Sequence, residues 1–140
     1  MQTDPHPRRW LALGVLCLSL LLVVLDNTIL NVALPTLAAD LGASTSDLQW
    51  IVDAYVLVFA GLLLTAGSLG DRYGRRRSLT GGMALFGIAS VAGALSGSVE
   101  ELIAARALLG IGAAFVMPAT LSIITNLFTD PKERARAIAA

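Results

Sequence analysis

Three ionisable side chains sit inside otherwise apolar runs: Asp26, Asp53 and Arg106. A charged group within hydrocarbon costs a few kcal/mol even on insertion scales, so each is a functional candidate by default. Asp26 lies about 24 Å along a helix that starts near Trp10, too far in for its short stem to reach water, so it needs a cavity or a partner. Asn27, Thr28 and Asn31 widen its polar sector. That sector suits a bundle interior or water-filled cavity, with an interhelical hydrogen bond as the structural alternative. Asp53 sits one to two turns into its run. It is either a solvated edge or, with Trp50 and Tyr55, a carboxylate in an aromatic surround that would attract a lipophilic cation. Arg106 lies one turn past Glu101 and could snorkel to the membrane edge. Gly110, Gly112, Ala113 and Ala114 follow it as a close-packing wall, and Pro118 removes a backbone bond near Ala114, so a bend beside a buried charge is expected.

Other chemistry lacks its parts. Cys17 and His6 are the single cysteine and histidine, which leaves no disulfide framework, no metal site and no Ser/His/Asp or Cys/His arrangement. Neither enzyme activity nor a cofactor is expected. Ten basic and ten acidic residues cancel, so no general attraction to nucleic acid follows.

The elements that must position these residues are apolar helices. Of the 140 residues 56% are hydrophobic and 14% charged, outside the soluble globular range. Four stretches, 10–34, 49–70, 78–98 and 102–129, each reach the roughly 20 apolar residues of a helical span. They lack the period-2 alternation of barrel strands, which predicts an all-α membrane protein with four transmembrane helices. Pro35 is expected to follow the first span, and Ser44 to Asp47 to cap the second. Residues 1–9 form an N-terminal segment, and the small, apolar residues after Arg134 read as the start of a fifth span in a truncated chain. Arg8 and Arg9, the arginines at 72 and 75–77, and Lys132, Arg134 and Arg136 all fall on one side of an even number of crossings. The positive-inside rule makes that side, with the N-terminus, cytoplasmic in a multi-pass plasma membrane protein.

The run from Gly67 to Leu79, GSLGDRYGRRRSL, resembles the loop between the second and third helices of the major facilitator superfamily, G-x-L-a-D-r-x-G-r-k-x-x-l. Gly70 stands in place of the usual Ala and Arg76 in place of Lys. Gly67 and Gly74 permit close helix approach and a tight turn, Asp71 can act on a neighbouring helix end, and Arg72, Arg75 and Arg76 anchor the cytoplasmic face. A basic turn that only sets topology is the plainer alternative. LDNTILNVALP at 25–35 resembles the first-helix motif L-D-x-T-I/V-x-N-V-A-L-P of the fourteen-span drug:proton antiporters of the EmrB/QacA type. RALLGIGAA at 106–114 resembles their fourth-helix motif R-x-x-x-G-x-G-a-A.

The resemblance implies the N-terminal part of a major facilitator helical bundle. It also implies a proton-gradient-driven exporter of lipophilic or cationic drugs, with Asp26 and Arg106 in the proton pathway and Asp53 as a substrate carboxylate. Further C-terminal helices would complete the transporter. A metabolite carrier of the same superfamily and a small four-span protein acting by partner association are the alternatives.

Overall fold

The computed structural model describes residues 8–139. Residues 1–7 of the expected N-terminal segment, His6 among them, and Ala140 lie outside the described residues. Five helices follow one another: α1 (Arg8–Leu41), α2 (Thr45–Tyr73), α3 (Arg75–Ala94), α4 (Val99–Leu127) and α5 (Pro131–Ala139). The expectation of helices without strands holds among the described residues. By length and composition α1, α2 and α4 can each cross a membrane. α3 opens with the three arginines at 75–77 and ends at Ala94 rather than Ser98, so its apolar part is the shortest of the four runs.

All four long helices begin before the expected apolar spans, α2 and α4 because side chains cap them there. α1 and α2 also run past the expected ends, whereas α3 and α4 stop short of theirs. Ser44 accepts from the Asp47 N–H while Asp47 accepts from the Ser44 N–H, a capping box that starts α2 four residues before the apolar run. Ser98 accepts from the Glu101 N–H and Glu101 from the Gly97 N–H at the start of α4. One expectation fails at Pro35, which lies inside α1 and not after it. Its ring forfeits a single backbone bond, while the helix formers Leu37, Ala38, Ala39 and Leu41 carry the helix on to Gly42. That glycine, at φ +62°, turns the chain so that the Ala43 N–H reaches the Ala38 carbonyl. Between α2 and α3 a single non-helical residue, Gly74 at φ +106°, makes the whole turn. The fifth helix starts at Pro131, earlier than Arg134, because the Asp130 side chain caps it through the Lys132 N–H.

α4 is the centre of the packing. It runs along both α2 and α3, and touches α1 at fewer points. Its buried face includes Ala105, Gly110, Gly112, Ala113 and Ala114, small residues that let backbones approach where no hydrophobic gradient drives association. A Cβ on Gly110 would stand 2.7 Å from the Tyr55 carbonyl oxygen, and one on Gly112 2.8 Å from the Gly82 carbonyl oxygen. At both glycines α4 approaches a neighbouring backbone too closely for a side chain. Val23, Tyr55, Phe86 and Leu109 bring α1 to α4 into one apolar cluster, which lies directly beside the ionisable site. Leu13, Leu16, Ile124, Phe128 and Ala137 join α1, α4 and α5 in a second.

Candidate functional site: a buried arginine between three helices

Arg106 is 2% exposed, so the snorkelling alternative does not hold. Each nitrogen of its guanidinium has a hydrogen-bond acceptor. Nη1 donates to Asp26 Oδ2 at 2.6 Å, Nη2 to Asn27 Oδ1 at 3.1 Å and Nε to the Ile51 carbonyl at 3.3 Å. The Tyr55 ring lies under the guanidinium carbon, 4.5 Å from centroid to Cζ. The two charged partners come from α1 and α4, and α2 supplies a carbonyl and a π-face. A desolvated cation over an aromatic ring contributes about 2 kcal/mol. Breaking a buried ion pair by removing one partner costs about 3–5 kcal/mol, because the other charge is left uncompensated.

α1 can carry this polar stretch because its neutral members satisfy themselves. Asn27 Nδ2 donates to the Val23 carbonyl, Thr28 Oγ1 to Val24 and Asn31 Nδ2 to Asn27, each four residues back. Asp26 has no such recourse, and it turns to α4. Its side chain keeps 20% of its exposure and lines a cleft of about 370 Å³ between α1 and α3, beside Met83, Phe86 and Ser90. One carboxylate oxygen is therefore clamped by Arg106 while the group as a whole borders open space.

The structure brings Asp26, Arg106 and Tyr55 together, and among the described residues neither Asp53 nor Trp50 shares a hydrogen bond, ion pair or ring contact with them. Trp50 is 54% exposed. Asp53 is half-buried and takes part in none of the side-chain hydrogen bonds or ion pairs among the described residues. Tyr55 is buried against Arg106, with Phe59 stacked parallel at 6.1 Å, so its ring already serves an internal cation. Asn27 and the Ile51 carbonyl escape sequence reasoning as Arg106 partners. Asn27 shows in sequence only as polar flank, and a backbone carbonyl carries no residue signal.

The turn motif at the other end is tightly built. Asp71 pairs with Arg75 one turn on, across Gly74. A Cβ on Gly70 would come within 3.3 Å of Ser78 Oγ, and Gly67 faces Pro118 of α4 at 3.6 Å. Arg72 lies over the Tyr73 ring, and Arg76 is exposed. Arg9 holds Glu133 through two bonds of 3.0 and 3.3 Å, tying α1 to α5, and Trp10 meets Phe128 edge-on, tying α1 to the end of α4. Among the described residues no group of His, Cys, Asp and Glu could hold a metal ion.

Long apolar helices packed on glycine and alanine, with an ion pair buried between the first and fourth, define a multi-pass membrane protein. Residues 16–140 match the family profile described as Major Facilitator Superfamily, and the chain belongs to that family. It is 52% identical over 137 residues to a multidrug efflux pump of Mycolicibacterium smegmatis, covering 98% of this chain and 27% of the relative. It is 47% identical to a puromycin resistance protein of Streptomyces alboniger, covering 95% and 26% of the two chains. A methyl viologen resistance protein of Salmonella typhimurium is 49% identical, with 94% and 26% covered. The chain spans about a quarter of the length of these relatives.

Proposed function

We propose that this chain carries the proton-coupling helices of a drug exporter, in which one proton and one lipophilic cation compete for the electrostatics of the Asp26–Arg106 pair. The observation that carries the reading is the 2.6 Å ion pair buried between α1 and α4 and bordered by the α1–α3 cleft. With Asp26 ionised the pair is neutral overall and tolerates a cation nearby. Once Asp26 takes a proton, Arg106 is left as an uncompensated positive charge in a low dielectric, and a cationic drug is disfavoured. Proton entry and cation departure are thereby linked by Coulomb repulsion, and no cofactor is needed, the proton gradient being the energy source. The names of the relatives, an efflux pump and two resistance proteins, support export of drugs.

In this reading Asp53 and Trp50 stand on the drug's path, and the Gly67–Arg76 turn is a conformational gate. Transport belongs to a full transporter in which these helices pack against further ones, embedded in a bacterial-type plasma membrane with the N-terminus in the cytoplasm. The EmrB/QacA likeness of the first-helix motif favours the fourteen-span antiporters over metabolite carriers.

The test is uptake of tetraphenylphosphonium, a lipophilic cation, into inverted vesicles bearing the full transporter at matched expression. Asp26→Asn, which keeps shape but cannot ionise, should abolish gradient-driven uptake, and Asp26→Glu should retain part of it. Near wild-type uptake by Asp26→Asn would return Asp26 to an interhelical hydrogen-bond role.

A further inference from the structure

We propose that Asn27 is the positioning residue that holds Arg106 in place during the part of the cycle in which Asp26 is neutral; this rests on the proton-coupling reading above. The guanidinium divides its donors between two kinds of acceptor. Nη1 serves the carboxylate, whose hold changes with protonation, while Nη2 and Nε serve Asn27 Oδ1 and the Ile51 carbonyl, whose hold does not. When Asp26 is neutralised the ion pair loses its Coulomb attraction, but two hydrogen bonds and the Tyr55 π-face remain. The charged or titratable groups that meet Arg106 are Asp26 from α1 and Tyr55 from α2, and α3 has no ionisable side chain over 78–94. Among the described residues no second carboxylate is hydrogen-bonded or ion-paired to Arg106.

The Asn27 amide is itself held for this task. Its Nδ2 donates to the Val23 carbonyl at 3.0 Å, which fixes the side chain and leaves Oδ1 directed at Nη2. Asparagine meets both demands at once, as a donor to its own helix and an acceptor for the cation. Aspartate has no donor for Val23, and leucine, of similar shape, has neither group. A cation kept in place lets the same carboxyl return its proton to the same partner. An Arg106 freed at each neutralisation would have to find its site again on every turnover.

The experiment reads the position of Arg106 directly. Membranes bearing the full transporter are treated with phenylglyoxal, which modifies accessible guanidinium groups, and modification of Arg106 is measured by peptide mass spectrometry against exposed Arg76 as internal reference. Wild type and Asn27→Leu, in which ionised Asp26 still holds Arg106, should be protected, and so should Asp26→Asn, in which Asn27 does. The Asp26→Asn/Asn27→Leu double variant should be modified about tenfold faster, the share of one charge-assisted hydrogen bond. In transport, Asn27→Leu should lose about tenfold in maximal rate with the KM for tetraphenylphosphonium unchanged.

Modification of Arg106 in Asp26→Asn alone, or in Asn27→Leu alone, would overturn the division of labour, as would full protection in the double variant. If Asn27→Leu does not accumulate, Asn27→Ala removes the same acceptor and is read the same way. Failure of both to accumulate would make Asn27 a folding residue and end the proposal. Full uptake by Asp26→Asn would instead defeat the proton-coupling reading, and the labelling pattern is scored separately from it.

Discussion

Gly110→Ala puts a single methyl where α4 crosses α2. Its Cβ would stand 2.7 Å from the Tyr55 carbonyl oxygen, and 3.3 Å from both the Phe59 nitrogen and Val58 Cβ. Ordinary contact begins at 3.4 Å, so the two helices must part by about 0.7 Å at this point. Because the colliding atom is backbone, no side chain can turn away. Overpacking of this kind costs about 1–3 kcal/mol. Against it, alanine is the better helix former by up to about 1 kcal/mol, which leaves a net loss of up to about 2 kcal/mol. Gly81→Ala is the control, since a Cβ there meets nothing within 4 Å and the helix gain stands alone.

Activity should suffer beyond stability, because the residue pushed away is the one whose ring covers Arg106. The measurement is the temperature at which half of the detergent-solubilised transporter leaves the monodisperse peak, paired with tetraphenylphosphonium uptake at matched expression. Gly81→Ala should equal or exceed wild type in stability. Gly110→Ala should fall below both, with an uptake rate reduced about tenfold, or about 1.4 kcal/mol of barrier. A Gly110→Ala protein as stable as Gly81→Ala and fully active would show that the α2–α4 crossing does not position the site.

Gly74→Ala forces an L side chain to φ +106°, so it should lose about 1–3 kcal/mol of stability in the same heating assay; an unchanged midpoint would mean that the turn adopts another path. Arg9→Glu and Glu133→Arg should each lower stability by about 0.5–1 kcal/mol, the range of a partly exposed pair. The double reversal should restore it, and failure to do so would remove the ion pair from the α1–α5 contact. In a Cys17→Ser background, a cysteine at Arg76 should resist a membrane-impermeant thiol reagent in intact cells while one at Thr45 reacts, and the opposite pattern would reverse the proposed orientation.

What could be read in advance follows from which signals are one-dimensional. A charge in an apolar run stands out whatever the fold, and so Asp26 and Arg106 were legible as candidates, though not that one would hold the other. The glycines at 110 and 112 were legible through their spacing, whereas Gly82, which meets Gly112 at backbone distance, needs the α3–α4 crossing to acquire a meaning. Tyr55 reads as a drug-facing aromatic by its nearness to Asp53, but helix α2 turns it to Arg106. Pro35 reads as a stop because its ring is a local obstacle, yet one missing hydrogen bond does not outweigh four good helix formers, Leu37, Ala38, Ala39 and Leu41, and a glycine cap beyond them. Arg9 and Glu133 belong to opposite ends of the chain, and no periodicity connects them.

The 80 residues that separate Asp26 from Arg106 also set an order of events during synthesis. At about 5–20 residues per second the ribosome needs about 4–16 seconds to deliver the arginine after the aspartate. Leaving the ribosome ahead of α4 by the same interval, α1 meets the bilayer first. Its neutral polar side chains are already content, each bonded one turn back along its own backbone. The carboxylate alone waits. Newborn α1 is thus a helix that the lipid accepts with one reservation, which the arrival of α4 lifts. Substitutions at Arg106 act on this nascent intermediate before they act on any transport cycle, and the first symptom to look for is the amount of protein that survives membrane quality control.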